Sequence, residues 1–141
     1  MAAREEVVLD TNVFVAAGFN PRSHAARIIN AVQSGRLRLV WNEATFGETR
    51  RILEKIPPLS WAAFSSLFRD EDRYGGPADP AAFGFIADPE DRKFAALAAV
   101  TGATLVSQDD HLLAIRDQDG TPRILTPGES ARENMQRRVD G

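Results

Sequence analysis

The feature that most constrains this chain is a short apolar run, Val7-Val8-Leu9, that ends on a carboxylate, Asp10. A brief run rich in β-branched residues reads as a strand buried within a parallel sheet. In open α/β sheets the ligand crevice lies beyond the carboxyl ends of the strands, which is where Asp10 falls. The competing role for Asp10 is to cap the helix begun by Val13, but Asn12 is better placed for that.

The rest of the chain alternates helices with strands. A short turn of helix follows Asp10, then a loop at Asn20-Pro21. Ser23 caps a helix with Ala25, Ile28, Ile29 and Val32 at helical spacing, closed by Gly35. Residues 37–41 read as a second strand. Asn42 caps a helix that runs to Ile56, where Pro57-Pro58 ends it. A further helix opens at Ser60, with Trp61, Phe64, Leu67 and Phe68 on one face. Residues 74–87 read as a long Gly/Pro-rich loop, with Phe83–Ile86 as a candidate extra strand. Asp88 caps the next helix, with Pro89 at its first position, and Gly102 ends it. Leu105-Val106 closes a third strand, and Leu112, Leu113 and Ile115 mark a short helical turn. Arg123-Ile124-Leu125 is the last strand. Thr126 and Glu129 form a capping box for a terminal helix whose tail, Arg137 to Gly141, is expected to fray. This alternation implies an α/β fold, a three-layer sandwich with a mostly parallel central sheet, in one domain over residues 1–141.

Composition removes several chemistries. There is no cysteine, which excludes disulfides and thiolate metal sites, and two histidines, His24 and His111, are too few for a histidine-rich zinc cluster. The net charge of −3 argues against a general DNA coater but not against a nuclease, because a carboxylate site becomes positive only when loaded with metal. Every basic residue except Lys55 and Lys93 is arginine, a type suited to bidentate phosphate contacts, although genomic base composition explains the bias equally well. No apolar run approaches a membrane span and no signal peptide is expected before the first strand, so the expected location is the cytoplasm.

Two strands deliver acids to the same sheet edge. Val7–Leu9 delivers Asp10, and Leu105-Val106-Ser107 delivers Asp109. Asp91 continues the inward stripe of Phe94, Leu97, Ala98 and Thr101, and its alternative role is to complement the helix dipole. Glu48 lies at the edge of the stripe formed by Phe46, Thr49, Leu53 and Ile56. Its alternative is a solvent-facing pair with Arg51. Hard oxygen donors without cysteine suit Mg²⁺ or Mn²⁺. The chemistry this points to is phosphodiester hydrolysis by a metal-activated water. No catalytic triad, P-loop or dinucleotide-binding motif is present.

These residues resemble the PIN domain, a family of metal-dependent ribonucleases, and its bacterial branch of toxins from toxin–antitoxin pairs in particular. Val7-Val8-Leu9-Asp10-Thr11-Asn12-Val13 resembles the family's opening strand and first acid. Leu39 through Glu48 is similar to its second strand and second acid. Asp88-Pro89-Glu90-Asp91-Arg92-Lys93-Phe94 resembles its third block, Leu105-Val106-Ser107-Gln108-Asp109 its fourth strand, and Arg123 to Pro127 its closing strand. The likeness spans residues 6 to about 133. It implies about five strands in the order 3-2-1-4-5. It also implies Asp10, Glu48, Asp91 and Asp109 around one or two Mg²⁺ or Mn²⁺ ions, with Thr11, Asn12 and Ser107 as supporting polar groups. Two departures stand out: His111 replaces a usual second acid, for which Asp110 is the nearest substitute, and Gln108 replaces a usual glycine.

The resulting expectation is an endoribonuclease toxin acting on single-stranded or structured RNA, with an antitoxin protein and a second copy of the chain as partners. Arg50, Arg51 and Arg92 are the expected phosphate contacts. The alternatives are a catalytically inactive RNA- or partner-binding domain of the same fold and a small-molecule phosphohydrolase. The latter is disfavoured because Asn12 stands where its second aspartate would be.

Overall fold

A computed structural model describes residues 4–140, with side chains as far as Gln136. Of the tail expected to fray, Gly141 and every side chain from residue 137 onward lie outside the described residues, while the backbone is helical as far as Asp140. Four strands, β1 (Glu5–Leu9), β2 (Leu37–Leu39), β3 (Thr104–Val106) and β4 (Ile124–Leu125), pair in parallel in the order β2-β1-β3-β4. The expected five-stranded sheet in the order 3-2-1-4-5 is thus corrected to four strands. Phe83–Ile86 does not supply the missing one. Pro80–Phe83 is a 3₁₀ turn, and Phe83 and Ile86 bury their side chains against the sheet instead of pairing at its edge. Beyond β2, among the described residues, the sheet continues only as a single bridge between Trp41 and Arg73.

Side chains alternate across the sheet, as a two-residue period requires. Val7, Leu9, Leu37, Leu39 and Val106 enter one core, and Val8, Val40, Leu105 and Ile124 enter the other. The first core is covered by α1 (Thr11–Phe19), α2 (His24–Gln33) and α3 (Glu43–Glu54), with Ala131 of α6 (Pro127–Asp140). The second is covered by α4 (Arg92–Thr101) and by Leu112 of α5 (Asp110–Ala114). Both faces are therefore sealed, which is the condition a parallel sheet imposes. Phe94 fills the second core at 2% exposure, and truncation there to alanine would cost about 3–5 kcal/mol.

The local end signals hold. The Ser23 hydroxyl accepts from the Ala26 N–H, Asn42 and Thr45 cap each other reciprocally, and Thr126 and Glu129 complete their box, while Asp88 accepts from the Glu90 N–H at the head of a 3₁₀ turn, Pro89–Asp91, and not of α4 itself, which begins at Arg92. Gly102 ends α4 in the left-handed conformation, which an L side chain would strain. Two expectations fail. The helix at Ser60 is a pair of 3₁₀ turns, Trp61–Ala63 and Ser65–Leu67, because its aromatic residues are drawn into a shared wall: Phe68 stacks on Phe14 and meets Phe46 and Trp61. Nor does Asn12 cap the first helix, which begins two residues earlier than expected, at Thr11, with Asp10 at the cap position.

Candidate metal centre

The pairing of β1 with β3 places Leu9 opposite Val106, and the Asp10 N–H donates to the Val106 carbonyl at 3.0 Å. The two strand ends are thereby locked side by side, with Asp10 following one and Ser107 the other. At the cap position Asp10 makes no side-chain capping bond, so its carboxylate is available for other partners. Fully buried Ser107 donates to Asp10 Oδ2 at 2.7 Å, and Asn12 Nδ2 donates to the same oxygen at 3.3 Å. Asn12 Oδ1 accepts from the Gln108 N–H, and Ser107 Oγ accepts from the Asp109 N–H. Asn12 thus orients an acid and pins the loop after β3, a role that capping would have precluded.

Asp91 ends a 3₁₀ turn, Pro89–Asp91, that leads directly into α4. Ligand oxygens of Asp10, Asp91 and Asp109 all lie within 4.8 Å of one another. Asp91 is 7% exposed, and its Oδ2 is buried without a hydrogen-bond donor. Such an orphaned acceptor costs free energy unless a cation or a proton satisfies it. Burial, together with the neighbouring charges of Asp10 and Asp109, pushes the Asp91 carboxyl up to about 8. Burial also raises Asp10, although the Ser107 hydroxyl and the Thr11 N–H work in the opposite direction. Asp109 has two duties, since its Oδ1 also accepts from the His111 N–H and so caps α5. This donor set fits a divalent cation: three hard oxygens from three elements, mutually repelling, one of them unsatisfied.

Glu48 has a different environment. It is buried, yet both oxygens accept from Arg51 Nη2 at 2.8 Å, and Oε2 accepts from Lys93 Nζ at 3.2 Å. Burial raises its carboxyl, but the hydrogen bonds from Arg51 and Lys93 outweigh that and hold it below the ordinary glutamate range. The pair with Arg51 read from helical spacing therefore exists, but Glu48 faces inward. The sequence reading did not single out Lys93. Its i, i+3 spacing from Glu90, to which it bonds at 2.7 Å, was the available signal.

The Thr11 side chain does not bond the acids: its hydroxyl bonds Thr49 at 2.9 Å and fastens α1 to α3 beside Glu48. Asp110 is exposed and outside the three-aspartate group, so it does not replace the acid lost at His111. The arginines expected to contact phosphates are engaged within the chain. Arg92 donates to the carbonyls of Gly84 and Ile86, Arg50 pairs with Glu54, and Arg51 holds Glu48.

The chain is similar in structure to the crystal structure of PAE2754 from Pyrobaculum aerophilum, with a TM-score of 0.58 and 20% sequence identity over 96% of this chain and 99% of that one. At that identity the likeness speaks to fold alone. No curated protein matches the sequence. The PIN domain family model matches residues 6–111, a stretch that holds β1 to β3 and all three converging aspartates. On this match, which takes in most of its length, the chain belongs to the PIN domain family.

Proposed function

We propose that this protein is a metal-dependent endoribonuclease that hydrolyses RNA phosphodiesters. PIN domains are typically metal-dependent nucleases, and the observation that carries the reading is the convergence of Asp10, Asp91 and Asp109 with an unsatisfied Asp91 oxygen among them. These three residues would hold Mg²⁺ or Mn²⁺. The ion would supply Lewis acidity toward the phosphate and acidify a water. The chain's own contribution is preorganisation: Ser107 and Asn12 fix Asp10 in one orientation, and the Thr11–Thr49 bond holds α1 against α3. Glu48 is the fourth acid of the proposed site, its charge already balanced by Arg51 and Lys93. The test is cleavage of single-stranded RNA with Mn²⁺, with Mg²⁺ and with chelator. Cleavage that survives chelation, or that Asp91→Asn leaves intact, would overturn the reading.

The biological role we propose is that of a cytoplasmic toxin neutralised by a cognate antitoxin, which rests on the resemblance of the five sequence blocks. Among the described residues no helix is long and apolar enough to cross a membrane. Expression in a bacterial host should halt growth, Asp10→Asn should not, and a small DNA-binding protein encoded upstream should restore growth. Normal growth during expression of a cleavage-competent protein would remove the toxin role and leave the ribonuclease.

A further inference from the structure

We propose that the substrate strand runs from the three aspartates over the flank between α2 and α6, where a phosphodiester next to the one being cut is held by Arg132 and His24. This path rests on the ribonuclease reading above.

A groove of about 570 Å³ lies there, lined among others by Ser23, His24, Gln108, Asp110, Gly128 and Arg132. Gln108 and Asp110 are the two chain neighbours of Asp109, and the Gln108 N–H is tied to Asn12, so the groove adjoins the segment that carries Asp109, one of the three aspartates. A polymer cut at the aspartates has to continue past one of their flanks. On the α3–α4 side the cations are already used: Arg51 and Lys93 on Glu48, and Arg92 on backbone carbonyls. Recruiting any of them to a phosphate would break a bond already made, in two cases a bond to a buried carboxylate. On the α2–α6 side the side chains of Arg132, His24 and Gln108 have no hydrogen bond or ion pair among the described residues. They can meet a phosphate at no such cost. Gly128 supports the same assignment. A Cβ there would come within 3.3 Å of His24 Cδ2, so glycine lets the imidazole lie against the first turn of α6 at the groove wall. Asp110 is the one acid lining the groove, and it sits at the end next to Asp109, where a bound cation would offset it. A contact to a phosphate carries no base information, so it should tolerate any sequence.

The test is the affinity of the full chain for a short single-stranded RNA of mixed sequence, by fluorescence anisotropy in chelator over a range of salt. Arg132 is exposed, and its loss leaves the core untouched. Arg132→Ala should weaken binding about tenfold and lower the salt slope by about one phosphate contact. Gly128→Val, which pushes His24 aside, should weaken it in the same direction. Arg50→Ala, on the opposite flank, should stay within about twofold, as expected of an exposed residue paired elsewhere. Calorimetric Mn²⁺ affinity should be the same in all three variants and the parent, and with Mn²⁺ the Arg132→Ala effect should appear in KM rather than kcat. If the parent cleaves RNA but Arg132→Ala and Gly128→Val bind it normally, the path is wrong and the nuclease reading stands. If the parent neither binds nor cleaves RNA, both fall. If Arg132→Ala instead loses only an acidic peptide, the groove is a protein-docking surface and the path is overturned.

Discussion

Asp91 and Glu48 are each 7% exposed, yet their carboxyls are driven in opposite directions. Asp91 is raised to about 8 by burial beside other carboxylates, while Glu48, also buried, is lowered by Arg51 and Lys93. Burial is common to both, and the partners decide the outcome. Glu48 belongs to a charge group that the chain has completed by itself. The three aspartates form a group that stays electrostatically incomplete without a cation. The same residue class therefore has two meanings in this fold: an unsatisfied acid is a candidate ligand, and a satisfied one is an organiser of its neighbours.

The largest expected difference is in activity. Loss of an outer partner of a metal ligand typically costs about 10–100-fold, so Asp91→Asn, which alters a proposed ligand itself, should reduce RNA cleavage at least about a hundredfold. Glu48→Gln should cost about tenfold, as an outer group would. Single-turnover cleavage with Mn²⁺ measures both, and equal losses would erase the distinction between the two groups.

Stability against pH comes next. The folded carboxyl of Asp91 is raised above its unfolded value, so its contribution is present in full below about pH 4 and is lost as pH rises towards 8. Metal-free thermal melts should fall between pH 5 and pH 8, with a slope of at most about 1.4 kcal/mol per pH unit from this one proton. Asp91→Asn should flatten the curve. Glu48 has the opposite sign: its folded carboxyl is lowered, so its stabilisation is present above the ordinary glutamate range and is lost as pH falls below it. A metal-free parent whose melting temperature rises from pH 5 to pH 8 would contradict the assignment of Asp91.

Metal should then reverse the penalty. At a hundred times its dissociation constant, Mn²⁺ should stabilise the parent by about 2.7 kcal/mol. Asp109→Asn should respond less while melting no lower than the parent in chelator, because asparagine can still cap α5. An undiminished response in that variant would take Asp109 out of the centre.

The smallest effect belongs to the completed group. Lys93 is 21% exposed, so Lys93→Met should cost only about 1 kcal/mol, well short of a fully buried pair. Its calorimetric Mn²⁺ affinity should match the parent's. A large drop in that affinity would mean that the two acid groups are one.

What could be read from the sequence was what neighbours along the chain decide. The strand running into Asp10, the caps at Ser23, Asn42 and Asp88, the Thr126–Glu129 box and the inward face of Asp91 depend on spacings of a few residues, and all are present. The acids at the strand ends were legible for the same reason, since a parallel sheet puts the carboxyl ends of its strands on one edge. Tertiary structure decided the rest. Phe83 and Ile86 chose the core over an edge strand, and the aromatic wall turned an expected helix into 3₁₀ turns. The charge balance of Glu48 draws on Lys93, 45 positions away, as well as on Arg51 one turn along α3, and the role of Asn12 was set by Ser107 and Gln108, more than 90 positions away. Sequence spacing reaches one turn of helix or one step of strand. Which acid gains a cation and which is left facing other acids depends on contacts that exist only once the sheet has brought distant segments together.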